Sequence, residues 1–294
     1  MENWIKAGKI AAKALEYGKN LVKPEVLLLE IAEKIENKIM ELGAKPAFPV
    51  NISINEIAAH SIPKHNDESK FKEGNLIKLD VGAHIEGCIG DTAATISLGN
   101  NKEIIKAVED ALKNAIKTIQ IGTKINEIGK TIQETIQSYG FSPIQNLSGH
   151  LIEQYKQHAG ITIPNFDNNN QTELKENQII AVEPFATNGI GLIYEGKPSG
   201  VYKLETIKNT RNTTAREILK YIIEEYNELP FAKRWLIKKF GLKAVLALNS
   251  LEREKILYQF AELPEKNKGL VSQAEHTLLI QDKVKILTKV NPNS

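Results

Sequence analysis

The stretch Leu79-Asp80-Val81-Gly82-Ala83-His84-Ile85-Glu86-Gly87-Cys88-Ile89-Gly90-Asp91 sets two carboxylates into sequence that otherwise reads as β-strand. Ile77, Leu79 and Val81 alternate with Lys78 and Asp80, and residues 89–98 are again rich in β-branched side chains. That pattern describes an antiparallel hairpin across a glycine-bearing turn. A turn centred on Ile85 and Glu86 puts Asp80 directly opposite Asp91 on one face. Like charges so placed destabilise a strand pair. A cation between them resolves the conflict, and two hard oxygen ligands call for a divalent ion or a pair of ions. Two surface acids beside a solvated turn are the ordinary alternative, and three further residues weigh against it.

The chain has 294 residues, 41% hydrophobic and 25% charged, enough for a soluble globular protein with a sizeable core. One domain with an insertion and two domains both fit. With 38 basic against 36 acidic residues, a net charge of +2 and dispersed lysines, no electrostatic argument favours nucleic acid or membrane. The single cysteine, Cys88, can form no internal disulfide and reads as a small buried strand residue, which points to a reducing compartment. Lys6, Lys9 and Lys13 lie at helical spacing without a long apolar core, unlike a signal peptide, and no run reaches membrane-spanning length. A cytoplasmic location is expected.

Trp4, Ala7, Ala11, Ala14 and Leu15 share a helical face over residues 3–18, ending near Gly18. Pro24 opens a second helix over 26–42, closed by Gly43. A short strand and turn over 47–55 leads to Ala58-Ala59-His60. Helices over 104–119 and 125–139 stop at Gly122 and Gly140. Residues 141–206 read as strands and loops, with strands at 161–163, 179–183, 191–194 and 201–206. From 213 to about 261 the pattern is helical, broken at Pro230, Gly241 and Asn249-Ser250. Alternation returns over 270–280 and 284–290, so an α+β chain with an inserted helical subdomain is expected.

Five metal-competent side chains recur in strand or loop contexts: Asp80, Asp91, His150, Glu183 and Glu275. Four carboxylates and one imidazole suit two divalent ions that share bridging carboxylates. His150 follows Gly149, where the missing side chain permits close backbone approach. Glu183 ends the apolar run 179–182, where an unpaired carboxylate is costly. Glu275 interrupts a strand pattern. Taken singly, His150 also fits a polar loop residue and Glu275 the polar face of an edge strand.

Ala59-His60, Asp80-Val81-Gly82, Gly90-Asp91, Gly149-His150 with His158-Ala159-Gly160, Glu183-Pro184-Phe185 and Gln273-Ala274-Glu275-His276-Thr277 together resemble the methionine aminopeptidases of the pita-bread fold. The resemblance runs over nearly the whole chain. The helical stretch before Glu275 is similar to the insertion of the type II enzymes, and an N-terminus without a long basic or cysteine-rich extension is similar to the archaeal form. The implied fold is a curved antiparallel sheet flanked by two pairs of helices, formed by residues 1–206 and 264–294, with 207–263 as the inserted helical subdomain.

The resemblance also implies a chemistry, removal of the initiator methionine from nascent polypeptides with a small second residue preferred. Two divalent ions (Co, Mn, Fe or Zn) would be held with Asp91 and Glu275 bridging, His150 and Glu183 completing one ion, and Asp80 chelating the other. A hydroxide held between them would attack the first peptide bond, with Glu183 as proton acceptor. His60 and His158 would steady the substrate, and Phe48, His60 and Phe260, with Tyr258 as a neighbour, would line the methionine pocket. A transient ribosome contact and a monomeric chain are implied, with no nucleic-acid or membrane binding. Gln157, Ala274 and Phe260 stand where the family usually carries an apolar residue, an aromatic and a tyrosine, which bears on pocket shape and rate. His65, His84 and His276 are expected at the surface or in support. The rivals are an Xaa-Pro peptidase of the same fold, normally with a large N-terminal domain, and a non-catalytic pita-bread protein that binds RNA or ribosomes, normally with lost ligands and basic patches.

Overall fold

The computed structural model describes residues 1–289. Its central hairpin closes one residue later than the sequence suggests. Strands Leu76–Ile85 and Cys88–Ser97 pair so that Ile85 meets Cys88, which leaves Glu86 and Gly87 as the turn. Both turn residues have positive φ, 50° and 79°, as a type I′ turn requires. Asp80 therefore lies opposite Ala93, and Asp91 opposite Gly82. Direct pairing of the two aspartates is corrected to a diagonal one; a two-residue shift keeps both on the same face, where a one-residue shift would have separated them.

The alternation in Leu76–Ile85 assigns its two faces. Ile77, Leu79, Val81 and Ala83 pack under helices α1 (Glu2–Leu21) and α2 (Leu28–Glu41). Lys78, Asp80, Gly82 and His84 take the other face. Helix α1 runs past Gly18 because that glycine is a contact and not a stop: a Cβ there would lie 2.4 Å from Ile35 Cδ1 of α2. Pro24 lies in the connecting turn, and α2 starts only at Leu28, after the extended Leu27 has bridged to Lys70.

Helices α3 (Lys102–Thr118) and α4 (Ile125–Ser138) cover the other half of the sheet, packing Ile104, Val108, Ile128 and Ile132 against Ile180, Val182 and Leu278. The nine-stranded antiparallel sheet runs Lys45–Pro46, Leu76–Ile85, Cys88–Ser97, Glu275–Leu279, Ile179–Val182, Ser148–Ile152, Thr162–Pro164, with Asn51–Ile54 and Lys285–Ile286 joined at its sides. Two helix pairs on one curved sheet make the pita-bread fold. Residues 191–194 form no strand, only a bridge from Ile193 to Glu265. Of the alternation expected over 284–290, Lys285–Ile286 pairs with Leu278 and Leu279, and Val290 lies outside the described residues.

The helical run expected to about residue 261 ends earlier. Helices α5 (Thr213–Tyr226), α6 (Lys233–Phe240) and α7 (Lys243–Arg253) enclose a core of Ile218, Ile222, Leu248 and Leu251, and Leu257–Ala261 is a strand. That strand and Phe231–Ala232 pair on either side of Pro198–Leu204. Tyr258 lies opposite Lys203 there, and the carbonyl of Phe260 accepts from Ser199 Oγ at 2.7 Å. This unit is tied to α2 through Glu36, which accepts from Arg234, from Trp235 Nε1 at 2.9 Å and from Val50 N at 3.2 Å. Glu36→Ala leaves the Arg234 guanidinium buried without counter-charge, its Nε and Nη1 already lacking acceptors. The expected loss is about 3–5 kcal/mol, read as a lower urea midpoint, and the double variant Glu36→Leu/Arg234→Met should recover part of it.

Candidate metal centre

Each of five site residues comes from, or sits at the end of, a different strand. Asp80 and Glu275 oppose Ala93 from its two sides, so three strands set two acids in a row with a small residue between them. Thr277 Oγ1 accepts from Asp91 N at 2.8 Å and donates to Asp91 O at 2.7 Å, fixing that strand locally. Glu183 follows the strand Ile179–Val182, and His150 lies opposite Ala181. Gly149 is required by the close approach of those strands: a Cβ there would lie 2.2 Å from Ala181 O. On a flat sheet the strands of Asp91 and His150, three steps apart, would stand about 14 Å from each other. His150 Nε2 nevertheless reaches 3.7 Å from Asp91 Oδ2. The sheet curls into a trough, and the five side chains project into it.

Ligand-type atoms of Asp91, His150 and Glu275 lie within 4.8 Å of one another, as do those of Asp80, Glu183 and Glu275. Glu275 belongs to both sets. Glu183 Oε1 accepts from the amide of Gln273 at 2.7 Å, and Glu183 lies in the set with Asp80 and Glu275. Asp80 Oδ1, Asp91 Oδ1, His150 Nδ1 and both Glu275 oxygens are buried without a hydrogen-bond partner. Burial, followed by the neighbouring carboxylates, pushes Asp80, Glu183 and Glu275 well above the usual carboxylate range. Asp91 is pushed up to about 7, again chiefly by burial. Burial, followed by His158, drives His150 well below the ordinary imidazole value. Partnerless acids gathered in this way are costly unless a cation lies among them. An oxygen-rich set with one neutral imidazole fits divalent first-row ions.

A cavity of about 380 Å³ opens beside the acids, lined among others by Phe48, His60, His158 and Phe260. Phe48 is packed over Gly82, whose Cβ would fall 2.2 Å from its ring. His60 holds φ at 60°, a left-handed conformation uncommon outside glycine, and meets Phe260 edge-on at 5.1 Å. His158 lies edge-on to His150 at 4.5 Å. Burial brings His60 and His158 down to about 4, so both rings are neutral near pH 7 and each has one N–H to donate. Phe260 reaches the cavity from a strand and not from a helix end, and Tyr258 packs on it at 5.1 Å while 41% exposed, outside the cavity lining. His60→Ala should lower kcat about 10²–10³-fold with metal content unchanged, checked by kinetics beside metal analysis.

Two donors to the acids carried no assigned role in the sequence reading. Gln157 Nε2 donates to Asp91 Oδ2 at 3.0 Å, and Gln273 Nε2 to Glu183 Oε1. The spacing of Gln273 and Glu275 two apart in strand-like sequence was the available signal. His84 is buried and not at the surface: its Nδ1 accepts from Gly87 N at 3.1 Å and its ring packs on Tyr155. His276 Nδ1 pairs with Thr288 Oγ1 at 3.0 Å, and His65 is exposed.

A curved antiparallel sheet with acids and an imidazole gathered in its trough is the frame of a metallopeptidase. The chain belongs to metallopeptidase family M24, whose description it matches over residues 2–225. It is 48% identical over 290 residues to the methionine aminopeptidase of Methanocaldococcus jannaschii, covering 98% of each chain. Identity to the methionine aminopeptidase of Archaeoglobus fulgidus is 47% over 281 residues, 96% of this chain and 95% of the other. The crystal structure of the Thermotoga maritima methionine aminopeptidase superposes with a TM-score of 0.73 at 23% identity, over 98% of this chain and 96% of that one, a likeness of fold.

Proposed function

We propose that this chain is a metal-dependent methionine aminopeptidase that removes the N-terminal methionine from polypeptides whose second residue is small. The observation that carries the reading is the adjacency of buried acids with unpartnered oxygens, and a neutral imidazole, to a cavity of about 380 Å³ whose wall includes Phe48, Phe185 and Phe260. Two divalent ions, of Mn, Fe, Co or Zn, are assigned to Asp80, Asp91, His150, Glu183 and Glu275. When bound there, such ions supply Lewis-acid polarisation of a carbonyl and a nucleophile available at neutral pH.

The chain's own residues account for the rest. Phe48 and Phe260 close on the methionine side chain and exclude water. Neutral His60 and His158 donate to the scissile amide and steady its carbonyl oxygen. Glu183, at the cavity wall beside the acids, takes the proton from the attacking water and returns it to the leaving amine. Among the described residues, 1–206 and 264–289 form the catalytic unit, and 207–263 is an inserted subdomain whose strand Leu257–Ala261 brings Phe260 to the cavity. The chain acts as a monomer in the cytoplasm, on nascent chains and with a transient ribosome contact.

The test is cleavage of Met-Gly, Met-Lys and Xaa-Pro peptides with and without Mn(II). Cleavage of the first alone, abolished by a chelator, is expected; cleavage of Xaa-Pro peptides instead assigns the chain to the rival peptidase, and no cleavage of any overturns an enzymatic role.

A further inference from the structure

We propose that Gln273 is a positioning residue of this centre, its carboxamide fixing the orientation from which Glu183 serves the reaction; the inference rests on the function proposed above. Gln273 Nε2 donates to Glu183 Oε1 at 2.7 Å, and among the described residues it is the sole hydrogen-bond donor to that carboxylate. The chemistry of the place selects a neutral donor. A lysine or arginine would occupy the cation's role among four acids, and an apolar side chain would leave Glu183 free to rotate.

Gln273 is itself held from both sides. It is 1% exposed. Its backbone N donates to Thr95 Oγ1 at 2.8 Å, and its carbonyl accepts from the same hydroxyl at 2.7 Å. Gln273 pairs with Phe185, two residues beyond Glu183, so one register places both the carboxylate and the amide that holds it. With Oε1 pinned, Oε2 is the oxygen left to face the reacting atoms. A donor that holds a ligating carboxylate in place costs about 10–100-fold in metal affinity or activity when it is removed.

Gln273→Met keeps the volume and removes the donor. Its kcat on a Met-Gly peptide should fall about 10–100-fold with KM within about twofold, and calorimetric titration should show Mn(II) affinity down about 10-fold. Thr95→Val, which frees the backbone but leaves the amide, should shift both quantities in the same direction by less. A folded Gln273→Met protein with unaltered Mn(II) affinity and kcat overturns the inference and leaves Gln273 as packing. Should that variant lose its circular dichroism, Gln273→Asn carries the test: its donor falls one methylene short, so the same losses are expected, and full affinity and rate refute the role. Failure of the unaltered protein to cleave the peptide overturns the functional reading instead, and the Mn(II) titration still judges the positioning role.

Discussion

Glu275→Gln should abolish peptide cleavage and lower Mn(II) affinity by more than about 100-fold, beyond what losing a hydrogen-bond partner of a ligand does. Its effect on stability should run the other way. Glu275 is 1% exposed, both its oxygens are partnerless, and burial with Asp91, Glu183 and Asp80 nearby raises its pKa well above the ordinary range. The folded metal-free chain therefore binds that proton more tightly than the unfolded chain. Stability from this group is present below the unfolded value of 4.5 and is lost as pH rises toward the raised folded one. A neutral amide relieves that loss at pH 7, so the metal-free variant should melt higher than the metal-free parent, by roughly 2–4 °C for each kcal/mol relieved. Adding Mn(II) should reverse the order, because only the parent gains the ion's binding energy. Calorimetric melts with chelator and with Mn(II) check both halves. A variant that melts lower than its parent in chelator would show that the acids are not in mutual conflict.

Glu183→Ala should lower kcat about 10²–10⁴-fold while the chain stays folded. The reasons are its position at the wall of the cavity, half-buried between the acids and the space for substrate, and its pKa, raised by burial and by Asp80 and Asp91. Unlike Glu275, it closes no row across the sheet, since it lies just past the end of its strand. Mn(II) affinity should accordingly fall less than in Glu275→Gln. Single-turnover kinetics at saturating metal separate the two effects; near-parental turnover there would remove Glu183 from proton transfer.

The hairpin, the helix pairs and the five metal-competent residues were all legible in sequence, because period-two and period-3.6 patterns report which face each residue takes. Asp80 and Glu275 were legible for a second reason: a buried acid inside a strand pattern is costly, so it points to a purpose. The hairpin register was not legible. Turns one residue apart leave Asp80 and Asp91 on the same face, and only the backbone at Glu86 and Gly87 selects between them. The strand at Leu257–Ala261 was missed because its residues look helical until Pro198–Leu204 offers them an edge to pair with. Gln157 and Gln273 were missed as donors because an amide carries no charge to reveal it.

By itself, then, the amino-acid sequence determined which residues belong to the inner face and which chemistry they are fit for, since side-chain alternation and the cost of burying charge are local properties. Only the tertiary structure decided that Asp91 and His150, three strands apart, come within 3.7 Å, and that Glu275 stands within reach of both sets of ligand atoms. That outcome depends on the curl of the sheet under its helices, which is the sum of packing over the whole chain and is written at no single position.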